Sequence, residues 1–279
     1  FGPTDPAVWS HHPADAGARV AGALADDPDG AAVYLVGGTL NAAFDPSVWR
    51  AELPGAWVLV SGGAKDAVVA DLPDPGNTPN KQQPTRSTVL KAAGAKALLV
   101  FSRNHDQPLW HLLGGSPGAW ATLAGDPTWT AADVHCVTRT PDDSGALVAF
   151  ADGSWVLAQF DGVQVSAQVV AVQGDVASLA LQQCVFDGQG TLHVFGGQGA
   201  DGTSPQRRTA VVALGVPAEA TFTLAADVTQ TNQDLARSNA LAAWSPKLDA
   251  IVIAGGFAAS PNVRTDFGSV FAYRPAKGN

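Results

Sequence analysis

The chain contains no methionine, only two cysteines, and no apolar stretch of the roughly 18 residues that a membrane-spanning helix needs. Only 15% of its 279 residues are charged, and the net charge is -9. An acidic chain has no basic face for a phosphate backbone or an anionic membrane, so neither is expected as a partner. Because the chain begins at Phe1 without an initiator methionine, we expect a processed product.

Turn-forming residues are plentiful, with 30 glycines and 19 prolines, and 46% of the chain is hydrophobic. This composition suits a sizeable core crossed by many tight turns. No segment shows the periodicity of an amphipathic helix. The sequence therefore predicts an all-β protein.

One pattern occurs five times: a strand of small residues, a tight polar turn and a strongly apolar strand. These hairpins occupy residues 19–38, 86–103, 133–153, 179–197 and 237–256. A third strand follows each hairpin, and a fourth strand follows the first four. Equivalent positions recur at about 45 to 65 residues, a spacing typical of β-propeller blades.

Three of the five hairpins close with a glycine pair: Gly37-Gly38, Gly196-Gly197 and Gly255-Gly256. Each pair stands where the second strand ends and the chain turns beside a neighbouring repeat. A side chain there would clash or would forbid a positive φ. We therefore interpret the pairs as structural, and not as a phosphate-binding loop.

The motifs "YLVGG", "HVFGG" and "IVIAGG", followed by the aromatic pairs Trp49/Trp57 and Trp110/Trp120, resemble the kelch repeat. The resemblance covers essentially the whole chain and implies a single kelch-like β-propeller over residues 1–279. We expect five blades; six would require a further blade within residues 62–85. The expected blades cover residues 17–61, 86–125, 132–173, 177–227 and 235–275.

The fifth repeat lacks a fourth strand, and the N-terminal segment supplies a candidate. Val8-Trp9, within residues 5–12, matches Ala56-Trp57 and Ala119-Trp120 of the other outer strands. A strand borrowed from the opposite terminus would close the ring and protect its edges. We therefore expect residues 5–12 to form the outer strand of the last blade.

Arginines give the clearest candidate site. Arg19, Arg86 and Arg237 each precede the first strand of a blade, which in a propeller lines the central channel. They could bind an anion at the channel mouth, with Arg103 on the same face, or could pair with acids and carbonyls of neighbouring blades. Trp129 is the one tryptophan without a place in the repeat, and it is the aromatic candidate for contact with a ligand.

The cysteines occupy matching positions on the first strands of neighbouring repeats, Cys136 in the third and Cys184 in the fourth. Either they form a disulfide, which would indicate an oxidising compartment, or they are two buried thiols. No metal-binding spacing occurs among the six histidines. We expect no cofactor, although acidic turns leave calcium as an alternative; their residues are Asp26, Asp27, Asp29, Asp71 and Asp74.

No Gly-x-Ser-x-Gly motif or other catalytic arrangement is recognisable, so an enzyme is disfavoured. The polar loops at residues 38–46, 102–107, 198–208 and 257–267 should share one face with 62–85. The hypothesis is a secreted, periplasmic or cell-surface module, of bacterial composition, that binds a protein or glycan through this face. The alternatives are an enzyme acting on an acidic sugar, like the kelch-like sialic acid mutarotases, and a structural domain of a larger assembly.

Overall fold

The computed structural model is built from strands and turns, and no helix occurs in the part of the chain that it describes. Nothing in that part could therefore cross a membrane as a helix. The described residues are 22–30, 32–40, 43–52, 55–74, 85–102, 107–114, 118–123, 134–150, 154–170, 172–173, 182–197, 208–213, 221–225, 237–260, 263–266 and 268–274.

Twenty-four strands lie within the described residues, and they are grouped here by the five predicted repeats. The first repeat gives β1 (Ala23–Asp26), β2 (Ala32–Val36), β3 (Thr39–Leu40), β4 (Ala43–Phe44), β5 (Val48–Glu52) and β6 (Trp57–Leu59). The second gives β7 (Thr85–Ala92), β8 (Ala95–Ser102), β9 (Leu109–Leu113) and β10 (Ala121–Thr122). The third gives β11 (Val134–Arg139), β12 (Gly145–Phe150), β13 (Trp155–Phe160), β14 (Val165–Val170) and β15 (Val172–Gln173).

The last two repeats complete the chain. The fourth gives β16 (Gln183–Phe186), β17 (Thr191–Phe195), β18 (Arg208–Ala213) and β19 (Thr221–Ala225). The fifth gives β20 (Leu241–Ser245), β21 (Ala250–Ala254), β22 (Phe257–Ser260), β23 (Val263–Asp266) and β24 (Val270–Tyr273).

The strands form a propeller-like ring of small antiparallel sheets. Blades 1, 2 and 3 have the strand orders β1-β2-β5-β6, β7-β8-β9-β10 and β11-β12-β13-β14. Blade 4 has the order β16-β17-β18-β19 and carries β15 on its outer edge, and the fifth sheet contains β20-β21-β24. The described residues thus show four blades where the sequence predicted five, because no outer strand beside β24 is among them.

Apolar side chains fill the spaces between consecutive sheets. Four buried clusters join blade 1 to 2, 2 to 3, 3 to 4, and blade 4 to the fifth sheet. Within the described ranges no such cluster joins the fifth sheet to blade 1. On the first strands of blade 1 and of the fifth sheet, Leu24 of β1 and Leu241 of β20 are 55% and 66% exposed. The predicted closing strand, residues 5–12, lies outside the described residues.

The prediction for the glycine pairs is confirmed. All six glycines have positive φ, from 53° at Gly196 to 109° at Gly38. A Cβ added to Gly196 would overlap the backbone carbonyl of Arg237 in the next sheet. The pairs therefore let the end of a second strand approach the neighbouring repeat closely.

The polar loop predicted after β6 contributes to the core at two positions. Val69 is fully buried and Leu72 is 3% exposed, and both belong to the cluster between blades 1 and 2. The indole nitrogen of Trp120 donates to the Ala70 carbonyl at 3.0 Å, and Ser61 Oγ donates to Asp71 Oδ1 at 2.6 Å. The short apolar run at 67–70 packs towards the core, while most of the polar residues around it stay exposed. Residues 62–74 contain no strand pair of a sixth blade.

Candidate functional site

One face of the propeller carries the connections between the second and third strands of each repeat, and we call it the rim. Two of these connections are extended into small hairpins, β3–β4 and β22–β23. The base of the second hairpin is fixed, because the amides of Ser238 and Phe257 donate to each other's carbonyls at 2.7 and 2.9 Å. The predicted rim loops at 38–46 and 257–267 thus contain ordered β-structure. Residues 103–106 and 198–207 lie outside the described residues.

Arg237, one of the predicted ligand-binding arginines, is buried and hydrogen-bonds to the segments that flank the β22–β23 hairpin. The residue is only 2% exposed. Its Nη1 donates to the carbonyls of Gly255 at 2.9 Å and Ser269 at 3.3 Å, and its Nη2 donates to Ser269 Oγ at 2.9 Å. The guanidinium lies 4.7 Å from the ring centre of Phe271, a cation–π distance. In this structure the protein itself occupies the donors that were expected to face a ligand.

The other predicted ligand-binding residues are not brought together with Arg237. Arg86 lies half-buried on β7 of blade 2, opposite Phe101 in the sheet register. Arg19, Arg103 and Trp129 lie outside the described residues. A ring of three arginines at the channel mouth thus remains a prediction.

The opposite face, which we call the turn face, carries the turns between the first and second strands. There the turns of blades 1, 2 and 3 meet in an ionic cluster formed by Asp26, Asp27, Asp29, Lys91, Lys96, Arg139 and Asp143. Lys96 Nζ lies 2.6 and 2.9 Å from the two carboxylate oxygens of Asp27 and 2.7 Å from Asp29, which also pairs with Lys91. Three of the five carboxylates of the calcium alternative, Asp26, Asp27 and Asp29, are therefore paired with cations here.

Arg139 extends the cluster across three blades and was not singled out from the sequence. Its Nη2 donates to Asp26 Oδ2 at 2.7 Å, its Nη1 to the Asp26 carbonyl at 2.9 Å, and its Nε lies 2.7 Å from Asp143. Arg139 ends the first strand of blade 3, whereas Asp26 ends the first strand of blade 1. No local sequence signal pairs residues 113 positions apart; only the ring geometry does so.

The ionic contacts shift the pKa values of their members. Hydrogen bonds from Lys91 and Lys96 lower the pKa of Asp29 from 3.8 to about 2. Burial of Lys96 opposes its charge, but hydrogen bonds to Asp27 and Asp29 outweigh burial and raise its pKa. The charged forms of both residues are thereby stabilised at neutral pH.

Cys136 of blade 3 and Cys184 of blade 4 are joined in a disulfide, with their Cα atoms 6.0 Å apart. Both residues are buried, 1% and 5% exposed, in the apolar cluster between the two blades. Of the two alternatives left open by the sequence, the structure contains the disulfide. It links the first strands of neighbouring repeats next to the propeller axis.

Buried polar side chains elsewhere serve the fold. His193 Nε2 lies 2.9 Å from Asp187 Oδ2, and the imidazole packs edge-on against Tyr273 with ring centres 5.8 Å apart. Asp187 also accepts hydrogen bonds from the amides of its own turn. In the described part of the chain, no three His, Cys, Asp or Glu side chains are grouped so as to share a metal ion.

The fold described above is that of a β-propeller-like ring of sheets, and solved structures support this fold. A fungal alcohol oxidase of the AA5 family, in complex with copper, matches with a TM-score of 0.55 and 14% identity over 92% of this chain. The chain spans 53% of that oxidase. YjhT matches with a TM-score of 0.50 and 10% identity, covering 89% of this chain and 84% of YjhT. At these identities the similarity establishes the fold alone; no protein-family model or curated sequence matches.

Proposed function

We propose that the chain is a protein-binding module, without a cofactor, that recognises its partner through the rim. The observation that carries the proposal is the extension of two rim connections into the hairpins β3–β4 and β22–β23. Short two-stranded sheets present backbone edges to which a partner can add a strand. The blades beneath them supply a rigid support, which is the usual arrangement of binding loops on a scaffold.

We also propose an extracellular, periplasmic or cell-surface location. The support is the disulfide between Cys136 and Cys184. Such bonds persist in oxidising compartments and are rare where glutathione and thioredoxin keep thiols reduced.

For the ring itself we propose five blades, with residues 5–12 as the outer strand of the fifth. The support is the fifth sheet, which has three strands, together with the likeness of Val8-Trp9 to Ala56-Trp57. Deletion of residues 1–12 should then speed amide hydrogen exchange in β24, because these amides lose their strand partner. Unchanged exchange in β24 would contradict this closure.

The acidic-sugar enzyme has weaker support. It needs several arginines that face one ligand, and the described residues place Arg237 among protein carbonyls. A structural domain in a larger assembly predicts no dependence of partner binding on the hairpins. The rim experiment below separates that alternative from the protein-binding module.

The test shortens the β22–β23 hairpin by replacing residues 259–264 with Asn-Gly, a two-residue turn that preserves a hairpin. Quantitative affinity capture from extracellular and periplasmic fractions of the source organism compares this variant with the native chain. We expect proteins retained by the native chain to be depleted at least about tenfold on the variant, which corresponds to about 1.4 kcal/mol. Arg274→Ala, an exposed change beyond the end of β24, is the control and should retain them. Equal retention by the native and shortened chains would contradict binding through the rim.

A further inference from the structure

A groove of about 850 Å³ lies between blades 1 and 2, away from the rim hairpins. Its walls come mainly from the turn-face ends of strands, including Asp27 after β1, Lys96 in β8 and Leu113 at the end of β9. A cavity of this volume is in the range of small-molecule sites in proteins. The groove has no role in the rim function proposed above.

The charges that line the groove balance. Three cations and three carboxylates face it: Arg50, Lys65 and Lys96 with Asp27, Glu52 and Asp66. Asp27 is held by Lys96, and Arg50 Nη1 donates to Glu52 Oε1 at 2.8 Å. The lining therefore carries no net charge, and an ionic ligand would gain no net electrostatic attraction from it.

Two polar side chains of the groove are held in place before any ligand arrives. Asp27 and Tyr34 are 3% and 4% exposed, so packing fixes their side chains. Arg50 Nε is buried and, within the described residues, has no hydrogen-bond partner. Donors and acceptors stand side by side, which suits ligand groups that both donate and accept, above all hydroxyl groups.

Between the polar groups the groove wall is apolar. Val58 on the outer strand of blade 1 lines the groove and is 59% exposed. Removing this apolar surface from water would be favourable in free energy. Leu59, Val60, Val68 and Leu113 continue this wall. Aliphatic surface interleaved with fixed donors and acceptors matches the carbon-bound hydrogens and hydroxyls of a sugar ring.

We propose that the groove between blades 1 and 2 binds a neutral carbohydrate of two or three sugar rings. The balanced charges disfavour anionic and cationic ligands, and the apolar wall disfavours small inorganic ions. Lys96, Arg50 and Glu52 hydrogen-bond the sugar hydroxyls, and Val58 contacts the ring faces.

The test titrates the native chain with cellotriose, maltotriose, xylotriose and chitotriose, and with trigalacturonic acid as the charged probe. Binding is measured by calorimetry and by thermal shift. At about ten times the Kd, a neutral trisaccharide should raise the Tm by roughly 3 °C. Arg50→Gln should weaken the binding about tenfold, because hydrogen bonds to a charged group are lost. Arg274→Gln, outside the groove, should leave it unchanged.

A matched pair of variants separates the groove from general surface effects. Val58 and Val169 are both 59% exposed on outer strands, but Val58 alone lines the groove. Val58→Lys should abolish the shift because it narrows the groove and adds an unbalanced charge, whereas Val169→Lys should retain it. Shortening the rim hairpin should also retain it, so this proposal can fail or succeed independently of the rim.

Three results would overturn the proposal. The first is that no neutral trisaccharide binds at about 10 mM, which would mean a Kd weaker than millimolar. The second is equal binding by Val58→Lys and the native chain. The third is tighter binding of trigalacturonic acid than of the neutral probes.

Discussion

The joint between blades 3 and 4 differs from the joint between blades 1 and 2. The former is covalently closed by Cys136–Cys184 and packed with Trp155, Leu147 and Phe186, each at most 5% exposed. The latter has an apolar centre too, but its turn-face end is ionic and opens into a groove. One joint is closed by a disulfide and apolar packing, whereas the other opens into a groove beside its charges.

The reason lies in hydration. A buried ion pair loses its water at a cost that its mutual attraction rarely exceeds, so ion pairs persist where solvent still reaches them. Lys96 and Asp29 keep 24% and 44% of their side-chain surface exposed. A joint that relies on such pairs remains accessible to solutes, and a joint sealed by apolar packing does not. The sealed joint thus supplies rigidity, and the ionic joint supplies a place for a ligand.

The largest expected effect comes from opening the sealed joint. The disulfide spans 48 residues, and the entropy of closing a loop of that length corresponds to about 4 kcal/mol of the free energy of unfolding. The double variant Cys136→Ala/Cys184→Ala should lose about this amount of the free energy of unfolding, measured by urea unfolding. The rim and the groove should be unchanged in this variant.

A reductant supplies the control for this prediction. It should destabilise the native chain by a similar amount and leave the double variant unaffected. If a reductant left the Tm of the native chain unchanged, the disulfide would contribute nothing to stability. The contrast between the two joints would then disappear.

A smaller effect, confined to acid, is expected at the ionic joint. The pKa of Asp29 falls from 3.8 to about 2 on folding, so its contribution is fully present above pH 3.8 and is lost as the pH falls towards 2. Asp29→Asn should flatten the dependence of the Tm on pH within this window. Asp66→Asn, an exposed change outside the ionic cluster, should leave the slope as it is in the native chain. A native slope in Asp29→Asn would show that the contacts of Asp29 with Lys91 and Lys96 do not stabilise the fold.

The repeat pattern predicted the all-β architecture and the succession of hairpins, because alternating burial and turn chemistry act over a few residues. The glycine pairs were predictable for the same reason, since a positive φ is a local requirement. The burial of Val69 and Leu72 was not predicted, because it depends on the surface of blade 2 rather than on the composition of residues 62–74.

The side chains that matter at the two faces were harder to predict. Arg237 stands at a repeat position that suggests the channel, and only the carbonyls of Gly255 and Ser269 reveal its structural role. Arg139 and Asp26 meet because the propeller brings the first strands of blades 1 and 3 together. The ring arrangement determines which distant repeats come into contact, and the sequence pattern of a single repeat cannot predict these contacts.

The short strand β15 has a consequence for association. It pairs in parallel with β19, so the chain leaving blade 3 covers the outer edge of blade 4. An uncovered outer strand offers unpaired amides and carbonyls to other molecules, and it is where sheets join into aggregates. Blade 4 is capped against such joining by its own neighbour, and β6 and β10, with three and two residues, offer only short edges. Self-association through blade edges is therefore directed towards β14, the longest outer strand among the described residues.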